Sequence, residues 1–184
     1  SQQRLVTTSE NQTFAPRWSP DGRTILYSMA VAGNTDIYSI SVNGGTPQRL
    51  TSSPGIDVGG SFSPDGRKIV FESDRSGKQQ LYVMNADGSN AQRISFGDGR
   101  AGTPVWSPRG DLIAFTKLAG AFRIGIMAPN GSGEKLLTNA RQALWHARIV
   151  GTGFTAIHTA TLNVDGEQLE LRLTAPGVTN PENT

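Results

Sequence analysis

A chain of 184 residues is long enough to bury a substantial core, but 22 glycines, 10 prolines and only 36% hydrophobic side chains suit short strands joined by tight turns. The formal net charge of +2 comes from scattered Arg and Lys without a basic run or interleaved aromatics, which argues against nucleic acid as a partner. No stretch approaches the roughly 18 apolar residues of a membrane-crossing helix, and the absence of cysteine excludes a disulfide framework while leaving the compartment open.

In chain order, the first segment is Gln2–Glu10, where Arg4 and Leu5 match the "QRL" string that recurs later. It is expected to be the closing piece of a repeat unit. The pentad "WSPDG" (Trp18–Gly22) follows, then "FSPDG" (Phe62–Gly66) and "WSPRG" (Trp106–Gly110), with 44 residues from Ser19 to Ser63 and again from Ser63 to Ser107. Self-similarity at that period is the mark of stacked or radial architectures. Each unit reads as four strands. The first ends on the pentad aromatic, at Ala15–Ser19, Gly59–Ser63 and Thr103–Ser107. Pro fixes φ at about −65° and forces the preceding Ser to be extended, so the pentad is predicted to turn the chain sharply back. Asp21 and Asp65 can accept bonds from the backbone two residues on, and the glycine can take positive φ. Arg109 replaces that aspartate in the third unit, but Gly110 remains, so the turn is still expected.

The second strands are Thr24–Ser28, Lys68–Ser73 and Leu112–Thr116, and the third are Asp36–Ser41, Gln80–Asn85 and Arg123–Met127. Alternation in Leu81–Met84 puts Leu81 and Val83 on one face and Tyr82 and Met84 on the other, the pattern of a half-buried strand. The fourth strand of each unit ends in "QRLT", "QRIS" or "KLLT", at Gln48–Thr51, Gln92–Ser95 and Lys135–Thr138. Four antiparallel strands per period define a β-propeller blade. The expected fold class is therefore all-β, with blades at about 15–51, 59–95 and 103–138 and the end of another at 1–10. Blades pack face to face, so the pentad aromatics are expected between them, each contributing about 1.5–3 kcal/mol of burial. Three blades do not close a ring, since propellers take about four to eight, so a larger ring is expected. Beyond Asn139 the pentad is missing. Ala140–Gly151 would pass for a short helix, Thr155–Thr174 alternates around an Asp165–Gly166 hairpin turn, and the end is expected to be disordered. Residues 140–184 therefore read as a divergent tail.

The three uninterrupted units, densest in "SFSPDGRKIVFESDRSGKQQLYVMNADGSNAQRIS" (Ser61–Ser95), resemble the TolB propeller family. The resemblance implies a six-bladed ring in the periplasm, part of the Tol–Pal system of envelope integrity, binding the peptidoglycan-associated lipoprotein Pal and other Tol components. It implies neither catalysis nor a cofactor. In a four-stranded blade the turns after strands one and three share one end, and the remaining loops share the other. The second end carries the longer segments Thr8–Phe14, Ala30–Asp36, Ser53–Gly59, Ser73–Gln79 and Phe96–Gly102, and loops of this kind carry function preferentially. In the family that is the Pal-binding side, so the candidate contacts are Gln12, Thr13, Phe14, Asp57, Glu72, Asp74, Arg75 and Arg100. The alternative is the non-catalytic propeller of a prolyl-oligopeptidase-like serine peptidase, gating access to an active site elsewhere. Such an enzyme needs a G-x-S-x-G elbow, and no such string occurs here. His146 and His158 stand alone, and "DGRAG" and "NVDGEQ" fall short of a calcium loop, so no metal is assigned.

Overall fold

The structure, a computed structural model, describes residues 10–137 and the backbone of two further strands. The described part of the first unit is all-β and consists of three four-stranded antiparallel sheets, each in sequence order. Blade 1 comprises β1 (Thr13–Trp18), β2 (Thr24–Val31), β3 (Asn34–Ser41) and β4 (Gln48–Arg49). Blade 2 comprises β5 (Asp57–Phe62), β6 (Lys68–Ser73), β7 (Gln80–Asn85) and β8 (Gln92–Arg93). Blade 3 comprises β9 (Arg100–Trp106), β10 (Ile113–Leu118), β11 (Phe122–Met127) and β12 (Lys135–Leu136). This is a sector of a β-propeller, as the repeat requires. A separate unit holds a hairpin of β13 (His158–Val164) and β14 (Glu167–Leu173), paired from His158↔Leu173 to Val164↔Glu167. The predicted helix over 140–151, most of the earlier-blade segment and the chain end lie outside the described residues.

The pentads fold as hairpin turns for identifiable reasons. Ser19 N–H donates to Thr24 O at 2.8 Å, Gly22 N–H donates to Ser19 O at 3.0 Å, and Gly22 has φ of 69°. Ser19 Oγ donates to Asp21 Oδ1 at 2.6 Å and accepts from Thr24 N–H at 2.9 Å. Ser63, Asp65, Gly66 and Lys68 repeat every one of these bonds. In the third pentad the role of the lost aspartate passes to Asp111, whose Oδ1 accepts from Ser107 Oγ at 2.7 Å and which pairs with Arg109 at 3.1 Å. The carboxyls of Asp21, Asp65 and Asp111 lie below the ordinary carboxylate range, chiefly because of the serine hydroxyl bond.

The closing string is explained in the same way. Thr51 Oγ1 donates to Asp36 Oδ1 and accepts from Ile37 N–H, and Ser95 Oγ donates to Gln80 Oε1 and accepts from Leu81 N–H. Arg49 and Arg93 each donate through Nε to the carbonyl of that hydroxyl residue. The short outer strands β4 and β8 are thus held by side chains as well as by their few ladder bonds.

Among the described residues two of the three core clusters lie in the seams between blades, and the third, Tyr27, Met29, Tyr38 and Ile40, belongs to blade 1 alone. Leu26, Ile37 and Leu50 of blade 1 meet Ile69, Phe71, Tyr82 and Met84 of blade 2. Val70, Leu81 and Ile94 of blade 2 meet Ala101, Ile113, Phe115 and Met127 of blade 3, with Val83 alongside. The expected split of Leu81 and Val83 from Tyr82 and Met84 is therefore the split between two seams. The innermost strand fits closely: a side chain on Gly60 would begin 2.7 Å from Leu26 Cδ2. The pentad aromatics share the seams unequally. Phe62 and Trp106 are half-buried against them, and Trp106 Nε1 donates to Ser61 O across the seam at 3.2 Å, but Trp18 is 65% exposed. Seam packing comes from the blade that precedes the aromatic, and no described blade precedes β1.

Two turn glycines make a comparison. Gly66 has φ of 71° and the nearest atom to an added Cβ is 3.8 Å away, so Gly66→Ala is expected to cost only the left-handed backbone term, about 1–2 kcal/mol. Gly88 has φ of 90° and its Cβ would collide with Leu50 O, a backbone atom that cannot turn aside. Urea denaturation should place Gly88→Ala below Gly66→Ala in stability.

Candidate functional site

Each innermost strand carries a bulge at the same repeat position. Ala15, Gly59 and Thr103, with φ of 54°, 68° and 48°, interrupt the register of β1, β5 and β9. A non-glycine residue in this region is uncommon, and two of the three are not glycine. β2 and β6 each reach across to the bulge of the next blade. Gly59 N–H donates to Ser28 Oγ at 3.3 Å, and Glu72 accepts from the backbone N–H of Thr103. The longer loops begin beside these bulges, so the bulges help set where the loop-end side chains point.

Among the sequence-derived candidates, Gln12, Thr13 and Phe14 lie at the start of β1 and are exposed, Phe14 by 38%. Asp57 and Arg75 come together differently from the expectation of surface contacts. Asp57 is fully buried, and Arg75 Nη2 meets its Oδ2 at 2.7 Å. The guanidinium also donates from its Nε to Ser73 Oγ and lies over the rings of Tyr82 and Phe71, 4.9 and 5.4 Å from their centroids. This pair ties the β6–β7 loop to the start of β5 from behind the surface. Glu72 is also buried, between Gly59 and Gly102, and accepts from Gln79 Nε2.

Asp74 and Arg100 do share a cavity. Ile56, Val58, Asp74, Gly77, Lys78, Gln79 and Arg100 line a cleft of about 250 Å³ where the loop ends of blades 2 and 3 adjoin. Asp74 Oδ1 accepts from Ile56 N–H at 2.7 Å, which orders the two loops that form one wall. Lys78, Gln79, Ile56 and Val58 were not selected from sequence. The only signal for them was membership of the loops that flank Asp74, since the approach of Arg100 is a tertiary fact.

Burial pushes the Glu72 carboxyl above its ordinary value, partly offset by the bonds from Gln79 and Thr103. A raised folded value means that the linked stability is complete below the unfolded value and is lost as pH rises through the folded one. Glu72→Gln is therefore expected to raise stability at neutral pH and to flatten the urea-midpoint profile above about pH 4.5. The pentad aspartates have the opposite sign. Their lowered values stabilise above the unfolded value, and that contribution fades as pH falls through the folded one.

The family described as "TolB beta propeller domain" matches residues 1–144. The Tol-Pal system protein TolB of Gluconobacter oxydans (strain 621H) is 56% identical over 128 residues, which cover 68% of this chain and 28% of that protein. The chain therefore spans under a third of that relative's length. Among solved structures, a putative TolB from Agrobacterium tumefaciens superposes with a TM-score of 0.66 at 30% identity, over 70% of this chain and 50% of the other. A puromycin hydrolase superposes with a TM-score of 0.63 at 20% identity over 74% of this chain and 23% of the enzyme, a likeness of fold alone.

Proposed function

The chain belongs to the TolB beta-propeller family, and from that premise we propose that it is a non-catalytic docking module of a Tol–Pal envelope-integrity system, acting in the periplasm and receiving the lipoprotein Pal on the loop end of its blades. One observation carries the choice of surface. Phe14, Val31, Ile56 and Phe96 are all exposed in or beside the loops at that end. Apolar side chains held in water at a loop-rich end are the usual anchors of a protein interface. The opposite end is occupied by pentad and glycine turns whose polar groups already bond to one another, with Trp18 of β1 as its exposed aromatic.

Within this reading the eight candidate residues divide by role. Gln12, Thr13, Phe14, Asp74 and Arg100 are contacts, whereas Asp57, Arg75 and Glu72 hold the loops from which contacts are presented. The peptidase alternative draws on a fold likeness at 20% identity, which carries no chemistry.

Titration of the purified chain with the soluble domain of Pal tests the proposal. Saturable binding is expected, weakened at least about tenfold by Phe14→Asp combined with Ile56→Asp, two exposed positions, in a variant whose melting curve matches that of the unaltered chain. Absence of saturable binding, or unchanged affinity in the double variant, contradicts it.

A further inference from the structure

The cleft between the loop ends of blades 2 and 3 has a charge pattern that specifies more than a general docking surface. Lys78 and Arg100 both line it, both are exposed, and neither forms an ion pair within the described residues. Two other cations near this end are already engaged. Arg75 is bound to Asp57, and Lys117 is buried against Glu134 and the Phe96 carbonyl. The opposing charge in the cleft, Asp74, directs one carboxylate oxygen to the backbone of Ile56, and the Gln79 amide is held by Glu72 behind it. Two cations therefore face a single carboxylate that is already partly satisfied. Beside them lie the apolar side chains of Ile56, 50% exposed, and Val58.

We infer that this cleft receives an acidic side chain of the protein partner, its carboxylate between Lys78 and Arg100 and a neighbouring apolar side chain against Ile56 and Val58. The inference rests on the docking function proposed above and adds the chemistry that the partner must present. A volume of about 250 Å³ suits one or two side chains rather than a folded element. Arg is the residue that grips a carboxylate with two parallel N–H donors, while Lys supplies a movable point charge. Asp74 then acts against competing ligands, because a second carboxylate placed on its side would be repelled. Since both cations are at the exposed mouth, much of their effect should fall on the association rate and its salt dependence.

The test measures binding of the soluble Pal domain to the chain at two ionic strengths, about 0.05 and 0.5 M, which span strong and weak screening. Lys78→Glu combined with Arg100→Glu should lower affinity by about a hundredfold at low salt, mostly through slower association, and should reduce the loss of affinity caused by salt. Lys78→Gln combined with Arg100→Gln should fall between that variant and the unaltered chain. A melting curve confirms that each variant folds. Unchanged affinity and unchanged salt dependence in the folded double-reversal variant would overturn the carboxylate assignment while leaving Pal docking intact. Failure of the unaltered chain to bind Pal would instead remove the docking function, and this inference with it.

Discussion

Replacing Arg75 with methionine is expected to cost about 3–5 kcal/mol of folding stability, the loss typical of a buried ion pair broken from one side. Asp57 is fully buried, and its Oδ1 has no hydrogen-bond partner among the described residues even with Arg75 in place, so the guanidinium on Oδ2 is its main compensation. Without it a carboxylate is left with only the long 3.4 Å bond from Ser53 Oγ. Methionine preserves much of the packing over Phe71 and Tyr82, so the loss reports the charge. The pair replaced together, Asp57→Leu with Arg75→Met, should recover most of the deficit, because two apolar side chains need no mutual partner. Urea denaturation of the single and double variants measures this. A single variant within about 1 kcal/mol of the parent would mean that the pair is not the loop anchor described here.

Phe71→Ala is the second large expectation, at about 3–5 kcal/mol. The ring is fully buried in the seam between blades 1 and 2 and lies 5.7 Å from the Tyr82 ring. Its removal empties a site walled by Leu26 and Ile37 from one blade and Ile69 and Met84 from the other. Neither wall can close on the space without sliding one sheet past its neighbour, so the cavity term should persist. Phe71→Leu keeps most of the volume and should lose far less. The midpoint should shift with little change in denaturant slope, because the surface exposed on unfolding is nearly the same.

Much of this arrangement could be read from the residues, and the reasons are local. Pro20 and Gly22 determine a turn within a few residues of themselves, and the same logic repeats at Pro64 and Pro108. The alternation of Leu81–Met84 assigned its faces correctly because strand geometry leaves only two. What escaped the sequence depended on neighbours far along the chain. Asp111 takes over the acceptor role lost at Arg109, but it lies one residue beyond the pentad, where a comparison of columns does not look. Trp18 and Trp106 are the same letter in the same motif, and the blade lying before each one determines whether it is covered. Asp57 and Arg75 both read as polar loop residues, yet their attraction across 18 positions draws them under the surface. The cleft was legible only in part. Asp74 and Arg100 were visible as charged loop residues, while Lys78 and Ile56 became relevant only once the loops of adjacent blades were brought side by side.

The most direct test of the account is amide hydrogen exchange of the chain with and without the soluble Pal domain, resolved to short peptides. Slower exchange is expected in segments 12–14, 53–59, 74–79 and 96–102 when Pal is present, with the pentad turns at 19–23, 63–67 and 107–111 unchanged. Protection centred on the pentad turns, or no segment protected at saturating Pal, would contradict it.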